Sequence, residues 1–281
     1  MTEGQWAQPS PPFAPERLPQ LDIPAPGPQR RLTVFFRLLL LVPHFVVLFF
    51  LHVAAWFATI AAWFAALATA RVPDPLYRFL SGYLGWTTRV DAEAMLLVDR
   101  YPPFALHAPA HPVRVEVGGD RLNRLAVLFR VVLMLPAVIV QAPAVCGWWT
   151  LGLVWWLIVL IRGRVPQPLF EASAALLRFR VRTGAYVMML TPAYPKGFFG
   201  DRPGALGTDA EEAAEVGRVT ENLGGAGSAT RPLVLGTPAT VLLVVFLLAG
   251  LAAGASGSTS SYTTGDEPGR ERGGARTVTD R

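Results

Sequence analysis

Three long stretches of the chain contain no charged residue. Only 16% of the 281 residues are charged, whereas a soluble globular domain has about 25%. The deficit is concentrated in residues 38–70, 131–161 and 232–261. Uncharged apolar runs of more than about 18 residues are typical of membrane spans. The sequence therefore predicts an integral membrane protein.

Cysteine and lysine are almost absent. Cys146 is the only cysteine, which excludes an intrachain disulfide and a cysteine-based metal site. Lys196 is the only lysine among 25 basic residues, and the excess of arginine is typical of a GC-rich genome. The arginines flank the apolar runs and form no separate basic domain. This placement follows membrane topology, so we do not expect a nucleic-acid partner.

The sequence also lacks the motifs of common catalytic sites. It contains no phosphate-binding glycine loop with lysine, no His-Glu metal helix and no Gly-x-Ser-x-Gly elbow. No acidic residue lies inside an apolar run, where a proton- or cation-coupled transporter usually has one. We therefore expect a protein that is not an enzyme, with no catalytic residue, cofactor or metal ion.

What the chain does contain is an internal repeat, offset by 93 residues. Arg37 pairs with Arg130, and Trp63 pairs with Trp156. A shared apolar composition would not align arginine, tryptophan and proline positions together, so the match predicts a tandem duplication. The other aligned features are Arg71-Val72-Pro73 with Arg164-Val165-Pro166, Arg89 with Arg182, and Tyr101-Pro102 with Tyr194-Pro195.

Each repeat begins with an apolar run that is too long for one perpendicular crossing. Residues 32–70 would form a helix of about 58 Å, whereas the hydrocarbon core is about 30 Å thick. A crossing helical hairpin is therefore predicted, with an apex at residues 141–143 in the second repeat. The alternatives are one long tilted helix broken at Pro43 and Pro136, or a re-entrant hairpin that never crosses.

After each apolar run comes the motif Arg-Val-Pro-x-Pro-Leu and then an amphipathic segment. The two prolines end one helix and begin the next, which predicts a structural corner. The amphipathic segments, residues 76–98 and 169–190, predict helices that either lie at the membrane surface or pack on neighbouring helices.

The predicted fold is all-α: two tandem helical-hairpin repeats, each followed by an amphipathic helix, plus one C-terminal transmembrane helix. Five spans place the N-terminus in the cytoplasm and the C-terminal tail outside, with the first run as an uncleaved signal anchor. The predicted segments are a disordered Pro-rich tail (1–30), repeat 1 (31–104), a linker with a short strand (105–123), repeat 2 (124–199), a Gly/Ala/acidic linker (200–231), the C-terminal span (232–254) and a disordered polar tail (255–281).

Several of these residues also occur in a known family. With Arg37, Pro43-His44, Trp63, Arg71-Val72-Pro73 and the stretch from Asp99 to Phe104, the chain resembles the family called domain of unknown function 4389. Its members are bacterial membrane proteins, common in actinobacteria. The resemblance covers residues 31–104 and 111–199, although the second copy has Ala137 in place of His44. It implies a membrane location and no particular activity.

The repeated arginines are the candidate site residues. Arginine can hold a lipid phosphate with two hydrogen bonds, and basic residues near a membrane attract anionic lipids. We expect Arg37 and Arg130 to snorkel to the headgroups, and His44 and His52 to be buried neutral side chains. The candidate lipid-headgroup contacts are Arg37, Arg71, Arg89, Arg130, Arg164 and Arg182.

The predicted function is that of a non-enzymatic scaffold or interaction protein of the bacterial cell membrane. Its expected partners are the lipid bilayer, anionic lipids, and a membrane protein or a second copy of the chain. The alternative is a small transporter or channel that uses the cleft between the two repeats. A polar-lined cavity between the repeats would favour the alternative, and a dry interface would favour the scaffold.

Overall fold

The computed structural model describes residues 18–119, 121–201 and 228–259. This part of the chain is mainly helical, with one small antiparallel sheet. The helices are α1 (Arg31–Thr69), α2 (Asp74–Ala94), α3 (Arg124–Leu128), α4 (Arg130–Thr150), α5 (Gly152–Arg162), α6 (Gln167–Val187) and α7 (Thr237–Thr259). The two strands are β1 (Gln20–Asp22) and β2 (Arg114–Glu116).

The first apolar run forms a single helix, so the predicted hairpin is wrong. Helix α1 has 39 residues and continues through Pro43. In the second repeat, α3, α4 and α5 follow one another with single-residue breaks at Phe129 and Leu151, and the predicted apex lies inside α4. The first run contains no glycine, asparagine or aspartate at which the helix would reverse. The five-span count, and with it the exterior location of the C-terminal tail, no longer follows.

The Arg-Val-Pro-x-Pro-Leu motif forms the same corner in both repeats, as predicted. Helix α1 ends at Ala70, which has a left-handed backbone with φ of 58° and donates its N–H to the carbonyl of Ala66. Helix α5 ends in the same way at Gly163, with φ of 69°. The second proline of each motif, Pro75 or Pro168, lies in the first turn of the next helix, where it leaves no hydrogen bond unmade.

The two repeats are related by an approximate two-fold axis. The indole N–H of Trp63 donates to the carbonyl of Val127 at 2.9 Å, and that of Trp156 donates to the carbonyl of Val34 at 2.8 Å. These are equivalent residues exchanged between the copies, as an isologous contact requires. The long helix of one repeat therefore runs antiparallel to that of the other and contacts it at both ends.

Helices α2 and α6 form the interior of the molecule. Helix α2 packs on α1, α6 packs on α4, and α2 and α6 pack on each other. Almost all of α6 is buried, and so is α2 from Leu80 onward. Of the two predictions for the amphipathic segments, packing on neighbouring helices is therefore the one confirmed. The long helices are far more exposed, and α1 buries little more than one stripe, at Val34, Arg37, Leu41, His44, Ala55, Ala62 and Ala66.

The small sheet joins the N-terminal segment to the linker between the repeats. Strand β2 lies where the sequence predicted a strand, and it pairs with β1 so that Leu21 lies opposite Val115. Strand β1 lies within the tail that was predicted to be disordered, so that prediction is wrong for residues 18–30. These residues are ordered because Leu21 and Ile23 are fully buried. The predictions for residues 1–17, 202–227 and 260–281 lie outside the described residues.

Three helices are long and apolar enough to cross a membrane: α1, α4 and residues 237–256 of α7. These lengths and compositions indicate membrane association. Helix α7 begins five residues later than predicted, at Thr237, and extends to Thr259. It packs closely on α4, where Gly147 and Gly250 allow the two backbones to approach.

Candidate functional site

A buried charge cluster lies where the start of α1 meets the end of α2. The side chain of Arg37 is only 1% exposed, and it forms an ion pair with Asp99 at 2.8 Å. It also donates to the backbone carbonyl of Glu93 at 3.1 Å. The other oxygen of Asp99 accepts from the backbone N–H of Arg30 at 2.9 Å. We call Arg37, Glu93 and Asp99 the Arg37 cluster.

Glu93 is the unusual member of this cluster. It is fully buried, and neither carboxylate oxygen has a hydrogen-bond partner among the described residues. Burial raises the pKa of Glu93 to about 7; nearby Arg37 opposes this shift and Asp99 adds to it. A carboxyl group that is costly to ionise therefore lies beside a buried arginine.

The second repeat replaces this acid with an aromatic ring. The guanidinium of Arg130 lies 4.0 Å from the centre of the Tyr186 ring, and Tyr186 occupies the position equivalent to Glu93. Arg130 also donates to the carbonyl of Thr191 and to the sulfur of Met189. A cation over an aromatic face is stabilised without a second charge. The site around Arg130 can therefore hold its arginine without a carboxylate.

Arg89 and Arg182 hold the segments that follow α2 and α6. Arg89 donates to the carbonyls of Ala105 and Leu106. Arg182 donates to the carbonyl of Lys196 at 2.8 Å and to that of Pro19 at 3.3 Å. Burial, together with neighbouring Arg178, lowers the pKa of Arg182 to about 10.

Four of the six candidate lipid contacts are therefore inside the protein. Arg37, Arg89, Arg130 and Arg182 are each 5% exposed or less. Arg37 and Arg130 do not snorkel to the headgroups as expected, because their guanidinium groups bind carbonyl, carboxylate and aromatic partners inside the protein. Arg71 and Arg164 are exposed, and for these two the prediction of a lipid contact stands.

The two histidines of α1 are packed against aromatic side chains. His44 is fully buried, accepts from the indole N–H of Trp86 at 3.3 Å, and stacks on Phe104 with ring centres 3.9 Å apart. His52 is exposed and forms a 2.6 Å hydrogen bond with the hydroxyl of Tyr83. His44 is therefore buried as predicted, whereas the prediction of burial is wrong for His52. The stacking on His44 gives a structural role to Phe104, the last residue of the stretch from Asp99 to Phe104.

Sequence reasoning missed two structural partners. It identified Trp63 and Trp156 as repeated residues but not the carbonyls that they bind. It also gave no role to Arg178, which is buried and forms a 2.7 Å ion pair with Asp201. The spacing of Arg178 and Arg182 on one face of α6 signals a shared environment, but the partner residue lies 23 positions away.

Two hollows among the described residues lie away from the interface between the repeats. One, of about 390 Å³, is an apolar groove on the outside of α1, near Val46 and Phe49. The other, of about 260 Å³, lies between the N-terminal segment and the loop after α2, near Gln29 and Asp99. Within the described part of the chain, no three His, Cys, Asp or Glu residues are grouped so that they could hold a metal ion.

Comparison with known families gives one match. The sequence model of the domain of unknown function DUF4389 matches residues 31–105 and 124–199, which together are more than half of the chain. The chain belongs to this family. It contains two tandem copies of the DUF4389 domain, and their boundaries agree with the internal repeat. Comparisons with curated proteins and with solved structures gave no match.

The DUF4389 boundaries also separate the molecule into parts. The first copy holds α1 and α2, and the second holds α3 to α6. Strands β1 and β2 and helix α7 lie outside both copies. The Arg37 cluster and its counterpart at Arg130 are therefore features of the domain itself, whereas the cover that α7 provides for α4 is an addition to it.

Proposed function

We propose that this protein is a non-enzymatic scaffold of the bacterial cell membrane, which offers apolar helical faces to lipid and to a partner membrane protein or a second copy. The observation that carries the proposal is the packed interface between the repeats. A Cβ atom added to Gly184 on α6 would lie 3.1 Å from the side chain of Leu84 on α2. Such close contact leaves no room there for a solute.

The exposed surface supports the same proposal. Large apolar side chains are exposed along the whole of α1, from Leu32 to Phe64, and along α4 and α5, from Val131 to Ile161. Contiguous apolar surface of this extent is rare on soluble monomers and indicates contact with a membrane or a protein. The flanking arginines favour a cytoplasmic location for the polar side of the molecule.

The charges between the repeats also fit a structural role. Asp91 of α2 and Arg180 of α6 form an ion pair at 3.1 Å. This pair joins the two copies directly. Because each group neutralises the other, the pair supports a role as a tie between helices over a role as a site for a passing ion.

The test separates the scaffold from a transporter. The full-length protein is first checked for retention in membranes after alkaline carbonate extraction, and is then reconstituted into liposomes loaded with pH- and potassium-sensitive dyes. We expect no flux above that of protein-free liposomes. We also expect a protein partner, or a second copy, to co-purify in a fixed ratio from native membranes. Flux that is lost in an Asp91→Asn variant would overturn the scaffold and favour the transporter.

A further inference from the structure

The apolar surface of α1 is longer than a bilayer is thick. Large apolar side chains are exposed from Leu32 to Phe64, a distance of about 48 Å along the helix. To fit this length into a hydrocarbon core of about 30 Å, a crossing helix would have to tilt by about 50°. Transmembrane helices tilt by about 20° on average and rarely beyond 40°.

A non-helical segment runs beside α1 and α2 from one end to the other. This return segment (residues 99–119) begins at Asp99, which pairs with Arg37 near the start of α1. It then passes Arg89 of α2. At Val117 its carbonyl accepts from the hydroxyl of Tyr77 at 2.7 Å. Shortly afterwards, the N–H of Leu122 donates to the carbonyl of Ala70, at the end of α1, at 2.9 Å.

The return segment exposes the aromatic rings of Tyr101 and Phe104 near its start and polar side chains beyond them. His107, Arg114 and Glu116 are exposed along it, and it includes strand β2, whose only partner within the described residues is β1. Lipid-exposed irregular chain and open sheet edges do not occur inside the hydrocarbon region, because their backbone groups would lack hydrogen-bond partners. Exposed charged side chains there are equally costly. The return segment therefore lies in water, and so do both of the α1 ends that it connects.

The charges at the two ends agree with this placement. We call the start of α1 and the end of α5 the Arg31 end, and the end of α1 and the start of α3 the Arg71 end. The backbone N–H of Gln29 donates to the carbonyl of Gly163 at the Arg31 end. Exposed arginines lie at both ends: Arg31, Arg162 and Arg164 at the first, and Arg71, Arg121 and Arg124 at the second.

We propose that α1 and the α3–α5 segment lie within one half of the bilayer, roughly parallel to its plane, with both ends on the same aqueous face. The hydrocarbon of that leaflet covers their apolar outer sides. Anionic headgroups meet the arginines at the two ends. The approximate two-fold axis then lies along the membrane normal. If the helices crossed the bilayer, the same axis would lie in the membrane plane.

The experiment labels single cysteines from one side of the membrane. In a Cys146→Ala background, Arg31→Cys marks the Arg31 end of α1, Asp74→Cys marks the Arg71 end and Arg114→Cys marks the return segment. Phe49→Cys marks the middle of α1. Sealed inside-out and right-side-out vesicles are treated with a membrane-impermeant maleimide. We expect the first three cysteines to react from the same side only, and Phe49→Cys to react from neither.

Arg124→Cys and Arg164→Cys repeat the test on the second long segment, so that failure of one variant to fold does not decide the result. Labelling of the two ends of either long segment from opposite faces would overturn the in-plane arrangement. The inference rests on the proposed membrane location, but the two fail separately. Release of the protein by alkaline carbonate would contradict the membrane location, whereas labelling from opposite faces contradicts only the in-plane arrangement.

Discussion

At the scale of single residues, the buried arginines act as internal ties. Arg89, Arg130 and Arg182 each donate to a backbone carbonyl in the segment that follows α2 or α6. Arg37 donates to the carbonyl of Glu93, in the last turn of α2. A carbonyl in an irregular segment has no helical partner, and burying it unpaired costs free energy. The guanidinium groups supply the missing donors, which explains why the duplication retains arginine at equivalent places.

The carboxyl group of Glu93 predicts a pH-dependent stability. In the unfolded chain it titrates near the ordinary pKa of 4.5, and in the folded protein burial raises the pKa to about 7. Between these pH values the folded state keeps a proton that the unfolded state has released. The free energy of unfolding therefore falls as the pH rises through this window, by up to about 3 kcal/mol.

A Glu93→Gln variant removes this titration. We expect the variant and the wild type to have similar melting temperatures near pH 4, and the variant to melt at a higher temperature at pH 8. Melting is followed by tryptophan fluorescence in detergent from pH 4 to pH 8. Asp74→Asn, at an exposed carboxylate, is the matched control. A variant with the same pH dependence as the wild type would contradict the assignment to Glu93.

At the scale of elements, the contact between α4 and α7 depends on two glycines. A Cβ atom at Gly250 would collide with the carbonyl oxygen of Pro143, whereas nothing lies within 4 Å of a Cβ atom at Gly254. Small residues at such positions allow helices to approach closely in membranes. Any larger side chain at Gly250 must therefore push the two helices apart.

We predict that Gly250→Leu detaches α7 from α4 and that Gly254→Leu does not. The loss of packing should lower the free energy of unfolding by roughly 2–4 kcal/mol. Thermal melting in detergent measures the loss, and limited proteolysis of the segment before α7 measures the detachment. Equal melting temperatures for the two variants would show that the close approach of α4 and α7 does not limit stability.

The elements also show what the sequence could and could not predict. The corner motif was predictable because proline acts locally on the chain. The hairpin prediction failed because it rested on length alone, whereas the first run contains no glycine, asparagine or aspartate at which the helix would reverse. The order of residues 18–30 was hidden because the partners of Leu21 and Ile23 lie far along the chain, at β2 and Thr230.

The candidate site was also predictable only in part. That Arg37 and Arg130 are equivalent could be read from the 93-residue offset. Their burial could not, because Asp99 and Thr191 lie about 60 positions away from them. Arg71 and Arg164 remained exposed as expected, since a corner at the end of a helix leaves a long side chain free to reach solvent.

At the scale of the whole molecule, the two-fold relation predicts equal effects for equivalent substitutions in the two repeats. Trp63→Phe and Trp156→Phe each remove one indole hydrogen bond between the long helices and keep an aromatic ring in place. Each should lower the free energy of unfolding by about 1 kcal/mol. The repeated and exposed pair Trp56 and Trp149 supplies the controls. Unequal losses for Trp63 and Trp156, measured by chemical denaturation, would argue against equivalent ends.

The exposed arginines at the two ends of the molecule lead to a prediction about lipid. Arg71 and Arg164 are equivalent residues, and each lies at a corner where a long apolar helix ends. If both corners lie on one aqueous face, both meet the headgroups of the same leaflet. Each basic residue near an anionic surface contributes about 1 kcal/mol to the attraction, and the planar fork of arginine adds a two-point contact with phosphate.

We therefore expect a double Arg71→Lys, Arg164→Lys variant to retain less anionic lipid than the wild type after purification in mild detergent. Lysine keeps the charge and removes the fork, so topology and surface potential are preserved while the two-point contact is lost. Mass spectrometry of extracted lipid measures the ratio of anionic lipid to protein. Arg78→Lys, at an exposed arginine on α2, is the matched control, since it makes the same chemical change away from the corners. Equal lipid ratios in all three proteins would mean that the corner arginines act through charge alone.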